Sequence, residues 1–363
     1  MKAISPLVVA YVAAAQSLYT TPVLLGAVSD SLGLRADQVG LMITIELLAF
    51  AAAGLLLAPR LDRLPRGRIV ILAALGVGIA NVASGAIDTL GALTVARAFA
   101  GISLGCLLAT TSAEIAHFAD AEARYARCMM VALAFGCVGI FIIPEAARRF
   151  GHAGSYGYIA AVVVLLVPFM RGWPPQPPPQ DAQRGDLRSL YPLFAFVVLL
   201  FFSDGLVYPF AERIGRALDM DRALDLILAL SLGVGLFGAL AAERLGGRFG
   251  NVRPLLVGAW GTALSGLAVV CATGPVSFAL GASAKNLTMF FLFPFLLGAA
   301  AVRDPSGRGA AAVTGVVPLG IAIGPFVGGM LVERWGFPVL GWVGVALVAV
   351  ATPFAVRLLR PTR

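Results

Sequence analysis

Apolar residues fall along this chain in long unbroken runs, each closed by a short polar cluster. Runs of about 20 residues match the hydrocarbon core of a bilayer crossed by a helix. They predict transmembrane helices over 5–28, 38–59, 69–87, 91–113, 128–147, 155–171, 190–210, 223–242, 253–273, 276–301, 309–332 and 338–358. The first run also carries marks of a cleavable leader, with Lys2, an apolar stretch and Ala13-Ala14-Ala15. Its apolar character continues past Gln16 through Pro22 to Val28, and losing it would leave the first half one helix short. It is therefore read as a span. The expected fold class is an all-α integral membrane protein of about twelve helices.

Composition strengthens this reading. Of 363 residues 59% are hydrophobic and 13% charged, whereas a soluble domain carries roughly a quarter charged residues. A soluble protein this apolar would expose large greasy patches and aggregate. The net charge of +8 does not point to nucleic acid, because the basic residues sit in short connections between apolar runs, with no basic stripe interleaved with aromatics. Those connections instead set topology. On a path that starts inside, 18 Lys and Arg lie in inner segments and 7 in outer ones, which predicts both termini in the cytoplasm. Cys106, Cys128, Cys137 and Cys271 show no CxxC spacing and no pairing with His117 or His152, so they read as small apolar side chains.

The longest inner connection carries Trp173-Pro174-Pro175-Gln176-Pro177-Pro178-Pro179-Gln180 at the midpoint of the chain. Proline lacks a backbone donor and favours an extended, solvated chain. The domains are thus expected as 1–171, a six-helix bundle; 172–188, a cytoplasmic linker; and 189–363, a second six-helix bundle.

An internal repeat supports two related halves. Gly54 to Arg63 matches Gly235 to Arg244 in glycine, leucine, alanine, acid and arginine at an offset of 181 residues. Arg127, Gly139 and Pro144 match Arg308, Gly320 and Pro325 at the same offset. Chance gives one such match easily, but hardly both. Two parallel six-helix repeats are expected, an arrangement in which a site forms at the repeat interface near the bilayer midplane.

These segments resemble the major facilitator superfamily over essentially the whole chain. Its loop between helices two and three is matched by Ala58-Pro59-Arg60-Leu61-Asp62-Arg63-Leu64-Pro65-Arg66-Gly67-Arg68, although Ala58 and Pro65 stand where glycines are usual. A second copy reads Glu243-Arg244-Leu245-Gly246-Gly247-Arg248. Span four has Arg97-Ala98-Phe99-Ala100-Gly101-Ile102-Ser103-Leu104-Gly105, similar to the family's arginine and paired glycines. Span eleven has Gly320, Gly324, Pro325 and Gly328, a pattern like that of family antiporters, which carry it in helix five; here span five keeps only Gly139 and Pro144. The resemblance implies a secondary transporter driven by a proton or other ion gradient, without a cofactor, functional as a monomer. Asp62, Arg63, Arg66, Arg68, Glu243 and Arg244 are the expected cytoplasmic gating motif, in which acid and arginine pair at facing helix ends or simply form a basic inner loop. Gly101, Gly105, Gly320, Gly324 and Gly328 are expected to let helices approach closely, with Pro325 permitting a bend.

Ionisable residues inside spans are costly and read first as functional. Glu46, Arg97, Asp204 and Lys285 stand out. By the resemblance Arg97, Asp204 and Lys285 face a central cavity, with Gln16, Tyr19, Thr20, Tyr208 and Asn286 as polar neighbours. Burial penalises a charged carboxylate, so Asp204, or second Glu46, is the expected proton-coupling acid. Lys285 is its counter-ion or a contact for an anionic solute; Arg97 is a second counter-ion or a coupling switch. Each could instead be a permanent ion pair that fixes packing. Glu114 and Glu145, near helix ends, are expected to be solvated. The function so reached is proton-linked transport of a small organic solute, anionic or amphipathic, by alternating access in the cytoplasmic membrane. The alternatives are a proton-independent facilitator, a non-transporting sensor, or a membrane-embedded transferase, which two histidines in unrelated loops do not favour.

Overall fold

The computed structural model describes residues 6–34, 36–61, 63–173, 187–220, 223–246, 248–250 and 252–357. Among these no strand occurs. Helices follow in the order α1 (Pro6–Tyr19), α2 (Thr21–Leu32), α3 (Ala36–Leu57), α4 (Arg66–Gly85), α5 (Leu90–Ile115), α6 (Ala121–Leu166), α7 (Tyr191–Val207), α8 (Ala211–Arg216), α9 (Leu224–Leu245), α10 (Val252–Val270), α11 (Pro275–Arg303), α12 (Arg308–Trp335) and α13 (Pro338–Arg357). Ten helical stretches among the described residues are long and apolar enough to cross a membrane.

The count of passes is higher than the count of these stretches, for two reasons. A straight helix of the 46 residues of α6 would be roughly 69 Å long, more than twice the ~30 Å hydrocarbon core. It is broken at Gly151, whose φ of 62° and ψ of −155° are not helical, and this break falls between the expected spans 128–147 and 155–171. The first span is the converse case. It is split into α1 and α2, 14 and 12 residues, because Pro22 opens α2 and cannot donate to the ladder. Hydrogen bonds from Thr20 N to Gln16 O (3.1 Å) and Leu24 N to Thr20 O (3.0 Å) carry the chain across the joint as a bend. With α6 counted twice and α1–α2 once, the described residues make twelve passes.

The repeat is visible in the helix bounds, but in a different register from the one the sequence suggests. Arg66 and Val252 open α4 and α10, 186 residues apart; Leu90 and Pro275 open α5 and α11, 185 apart; Ala121 and Arg308 open α6 and α12, 187 apart. The offset of 181 is therefore about one helical turn short. A one-turn slip keeps residues on the same helix face, so glycine-rich segments match nearly as well out of register.

By contacts the chain divides into unit 1, residues 1–117, 131–184 and 305–315, and unit 2, residues 118–130, 185–304 and 316–363. In unit 1 the backbones of α3 and α5 touch: a Cβ on Gly101 would run into the carbonyl of Glu46, and one on Gly105 into that of Phe50. In unit 2, α7 and α12 meet likewise. A Cβ on Gly324 would collide with the backbone of Gly205, one on Gly320 would lie 2.7 Å from Val198 O, and one on Gly328 would lie 2.7 Å from Phe210 Cε2. Pro325 and Pro318 both lie inside α12. Leu206, Phe210, Ile214, Leu224, Phe278 and Leu340 form a buried apolar cluster in this unit. Large apolar side chains such as Leu56, Leu72, Ile79, Phe237 and Trp342 remain exposed, as expected of surfaces that meet lipid. Hydroxyls within the helices turn back to carbonyls one turn earlier, as Thr110 does to Cys106 O and Thr111 to Leu107 O, both at 2.7 Å.

Candidate functional site

The four intramembrane charges form two separate ion pairs, one in each unit, rather than one shared cluster. In unit 1 the close approach at Gly101 brings the backbone of Glu46 onto α5. Arg97 lies one turn before Gly101 on the same face, so its guanidinium reaches the carboxylate. Nε donates to Glu46 Oε2 at 2.9 Å, and Nη2 donates to Oε1. Nη1 donates to Asn81 Oδ1 on α4 at 3.2 Å, and Asn81 Nδ2 returns to Val77 O at 2.8 Å. The guanidinium carbon stands 5.1 Å from the ring centroid of Tyr156 on α6. Arg97 is thus held from three helices and is 1% exposed.

Unit 2 holds the second pair. Lys285 Nζ on α11 donates to Asp204 Oδ1 on α7, and each side chain is 11% exposed. Tyr208 lies one turn beyond Asp204, and its ring centroid is 5.6 Å from Nζ. Asn286 is turned away from this pair: its Nδ2 donates to Ser231 Oγ on α9 and to Ala282 O, both at 3.2 Å.

Gln16, Tyr19 and Thr20 sit where α1 gives way to α2. Thr20 Oγ1 donates to Gln16 O at 2.7 Å. A Cβ on Gly139 would lie 2.7 Å from Thr20 Cγ2, and one on Gly136 would lie 3.0 Å from Tyr19 Cβ, so these side chains pack on α6. Gln16 is fully buried, yet neither its amide oxygen nor its nitrogen has a hydrogen-bond partner among the described residues. An unsatisfied buried polar group costs about 1–3 kcal/mol.

The loop motif departs from its expected form. Asp62 lies outside the described residues. Arg63, Arg68 and Arg244 are exposed, but Arg66, expected among solvent-facing loop charges, is buried. Its Nη1 donates to Glu114 Oε2 at 3.1 Å, Nε to Leu61 O at 3.0 Å and Nη2 to Ser306 O at 3.2 Å. Glu114 is accordingly 3% exposed rather than solvated: the last turn of α5 faces the first turn of α4, and the pair replaces water for both. Glu145 is exposed and pairs with Arg148 and Arg149. Glu243 pairs not with Arg244 but with Arg127 Nε at 2.5 Å, within unit 2.

The sequence model of the Major Facilitator Superfamily matches residues 7–302. The chain belongs to this superfamily. Its members are transporters and not enzymes, which removes the transferase alternative. A protein of Mannheimia succiniciproducens named "Probable sugar efflux transporter" is 23% identical over 357 residues, covering 90% of this chain and 86% of that one. Among solved structures the fold is similar to the proton:xylose symporter XylE bound to 6-bromo-6-deoxy-D-glucose, with a TM-score of 0.78, 14% identity, and coverage of 98% of this chain and 95% of that one. It is also similar to the human organic anion transporter MFSD10, with a TM-score of 0.75, 16% identity, and coverage of 96% and 97%.

For this superfamily transporter, sequence reasoning missed Asn81 and Tyr156 as partners of Arg97. The rule that singled out charges in spans would have found Asn81 if extended to uncharged amides. Nothing in the sequence pairs Tyr156 with Arg97, because 59 positions separate them.

Proposed function

We propose that this protein is a secondary active transporter that moves a small polar solute, a sugar in the first instance, by alternating access, coupled to protons at Asp204. The observation that carries this reading is the Asp204–Lys285 pair, buried between α7 and α11 with a single ion-pair contact and one aromatic ring. Arg97 would have to leave a carboxylate, an amide and a ring to release Glu46. Lys285 has less to give up, and a lysine is a point charge that changes partners readily. Asp204 is therefore the first coupling acid and Glu46 the second. When a proton neutralises Asp204, Lys285 loses its counter-ion and becomes able to hold an anionic group, which keeps organic acids in the solute panel.

The sugar class is supported by the name of the Mannheimia relative and by the unsatisfied amide of Gln16. A glutamine amide offers one acceptor and two donors, the complement of neighbouring hydroxyls. The bias of Lys and Arg supports both termini in the cytoplasm of a cell with this membrane as its inner boundary. The family resemblance supports action as a monomer.

The test is solute-driven pH change in proteoliposomes across sugars, polyols and organic acids. The expected result is proton movement with at least one solute. Asp204→Asn should abolish that coupling while leaving solute counterflow. Transport with no proton movement would favour a facilitator; coupling retained in both Asp204→Asn and Glu46→Gln would remove these acids from the mechanism.

A further inference from the structure

His152 is the buried titratable group that this mechanism does not use. It follows Gly151, whose positive φ turns the chain sharply between the two passes of α6. The turn aims both the backbone and the ring of His152 at Ser31 near the end of α2. The backbone N–H of His152 donates to Ser31 Oγ at 3.1 Å, and Oγ stands 3.1 Å from ring Nδ1. With its lone pair taken by the backbone, the hydroxyl donates its proton to Nδ1, which places the ring proton on Nε2. Nε2 is buried, makes no hydrogen bond among the described residues, and lies 3.7 Å from Asp88 Oδ1 in the α4–α5 connection. The His152 side chain is 7% exposed and Asp88 82% exposed.

Both charge states of the imidazole are therefore provided for. On protonation Nδ1 becomes a donor, and Ser31 Oγ accepts through its second lone pair. The Asp88 side chain, on an exposed connection, has to move only about 1 Å to make a charge-assisted hydrogen bond. Histidine is the side chain whose charge ordinarily changes between about pH 5 and 8. Other charges near this end are Asp30, beside Ser31 in sequence, and Arg148 and Arg149 on α6, which pair with Glu145.

The ring is also in contact with the ion pair of unit 1. One turn along α6, Tyr156 meets His152 edge-on, with centroids 6.4 Å apart and planes at 82°. Tyr156 is 1% exposed and holds the guanidinium of Arg97 at 5.1 Å. An unbroken row of side chains thus runs from exposed Asp88 through His152, Tyr156 and Arg97 to Glu46. A cation at His152 competes with Arg97 for the electron density of the same ring, and so drives Arg97 toward Glu46.

We propose that His152, seated between Ser31 and Asp88, is a proton-binding site at this end of unit 1, and that its charge adjusts the Glu46–Arg97 pair through Tyr156. With the proposed topology this end faces outward, so the site reads the external pH. The proposal deepens the transport reading above and rests on it only for its consequence for rate.

Two measurements test it. In nitrogen-labelled protein in lipid nanodiscs, the Nε–H signal of Arg97 (assigned with Arg97→Lys) should move with pH at the midpoint of the His152 ring signals. The movement should vanish in His152→Gln and shift to more acidic pH, by roughly half a unit, in the surface variant Asp88→Asn. In proteoliposomes with the internal pH held constant, solute flux should change about threefold across external pH 5 to 8, and lose that step in His152→Gln. An Arg97 signal indifferent to His152 titration, or one that still responds in His152→Gln, would overturn the proposal. If Arg97 follows His152 while no proton accompanies the solute, the relay stands and the coupling reading fails.

Discussion

The most constrained side chain is Arg97, whose charge is matched by Glu46 and whose remaining donors are taken by Asn81. Removing one partner of a buried pair leaves an uncompensated charge, typically at a cost of about 3–5 kcal/mol. Arg97→Met should therefore lower the melting temperature of the detergent-solubilised protein sharply, and the double variant Arg97→Met, Glu46→Gln should recover part of the loss. No recovery would mean that Arg97 matters for packing rather than charge. Gln16 offers the opposite case, a buried amide with no partner among the described residues. Gln16→Leu should leave the melting temperature unchanged or raise it, while solute affinity falls by roughly tenfold for each hydroxyl bond lost. The charges themselves were legible from the sequence because a carboxylate or guanidinium inside an apolar run is conspicuous. Their pairing was not: Glu46 and Arg97 lie 51 positions apart and Asp204 and Lys285 81 apart, and no local pattern chooses among the possible partners.

At the scale of helices, small residues decide which elements touch. Gly101→Val and Gly324→Val would each force a side chain into a neighbouring backbone, which costs at least about 1–3 kcal/mol by overpacking. A Cβ on Gly329 meets nothing within 4 Å, so Gly329→Ala serves as the neutral control in the same melting assay. Gly151 is different, since its left-handed φ and the proximity of Ser31 Oγ, which would lie 2.9 Å from an added Cβ, act together. Gly151→Ala should cost about 1–2 kcal/mol from backbone strain alone. The helix positions were readable because bilayer thickness dictates run length. The bend at Thr20 and the continuous helical path through Arg148 and Arg149 were not, since both are extensions of hydrogen-bond ladders that polarity does not interrupt. The slip of the repeat from 181 to about 186 residues has a similar origin: a glycine stripe recurs every turn, so neighbouring registers score alike.

For the molecule as a whole, topology is the property most directly open to test. Asp88→Cys should react with a membrane-impermeant thiol reagent in intact cells, and Arg68→Cys only after permeabilisation. Native Cys271, exposed just beyond α10, should react from outside as well. The reverse pattern would invert the assigned orientation. What the sequence alone determined was the environment, the number of passes and the family, because the hydrophobic effect and the bilayer act on residue type and run length. The tertiary structure decided the rest: which acid meets which base, that Arg66 and Glu114 are buried together, and that His152 closes a row of contacts leading to Glu46. These depend on side-chain distances across helices, and in a uniformly apolar chain the sequence offers many helix faces of nearly equal polarity. Only close packing at particular glycines selects the faces that meet.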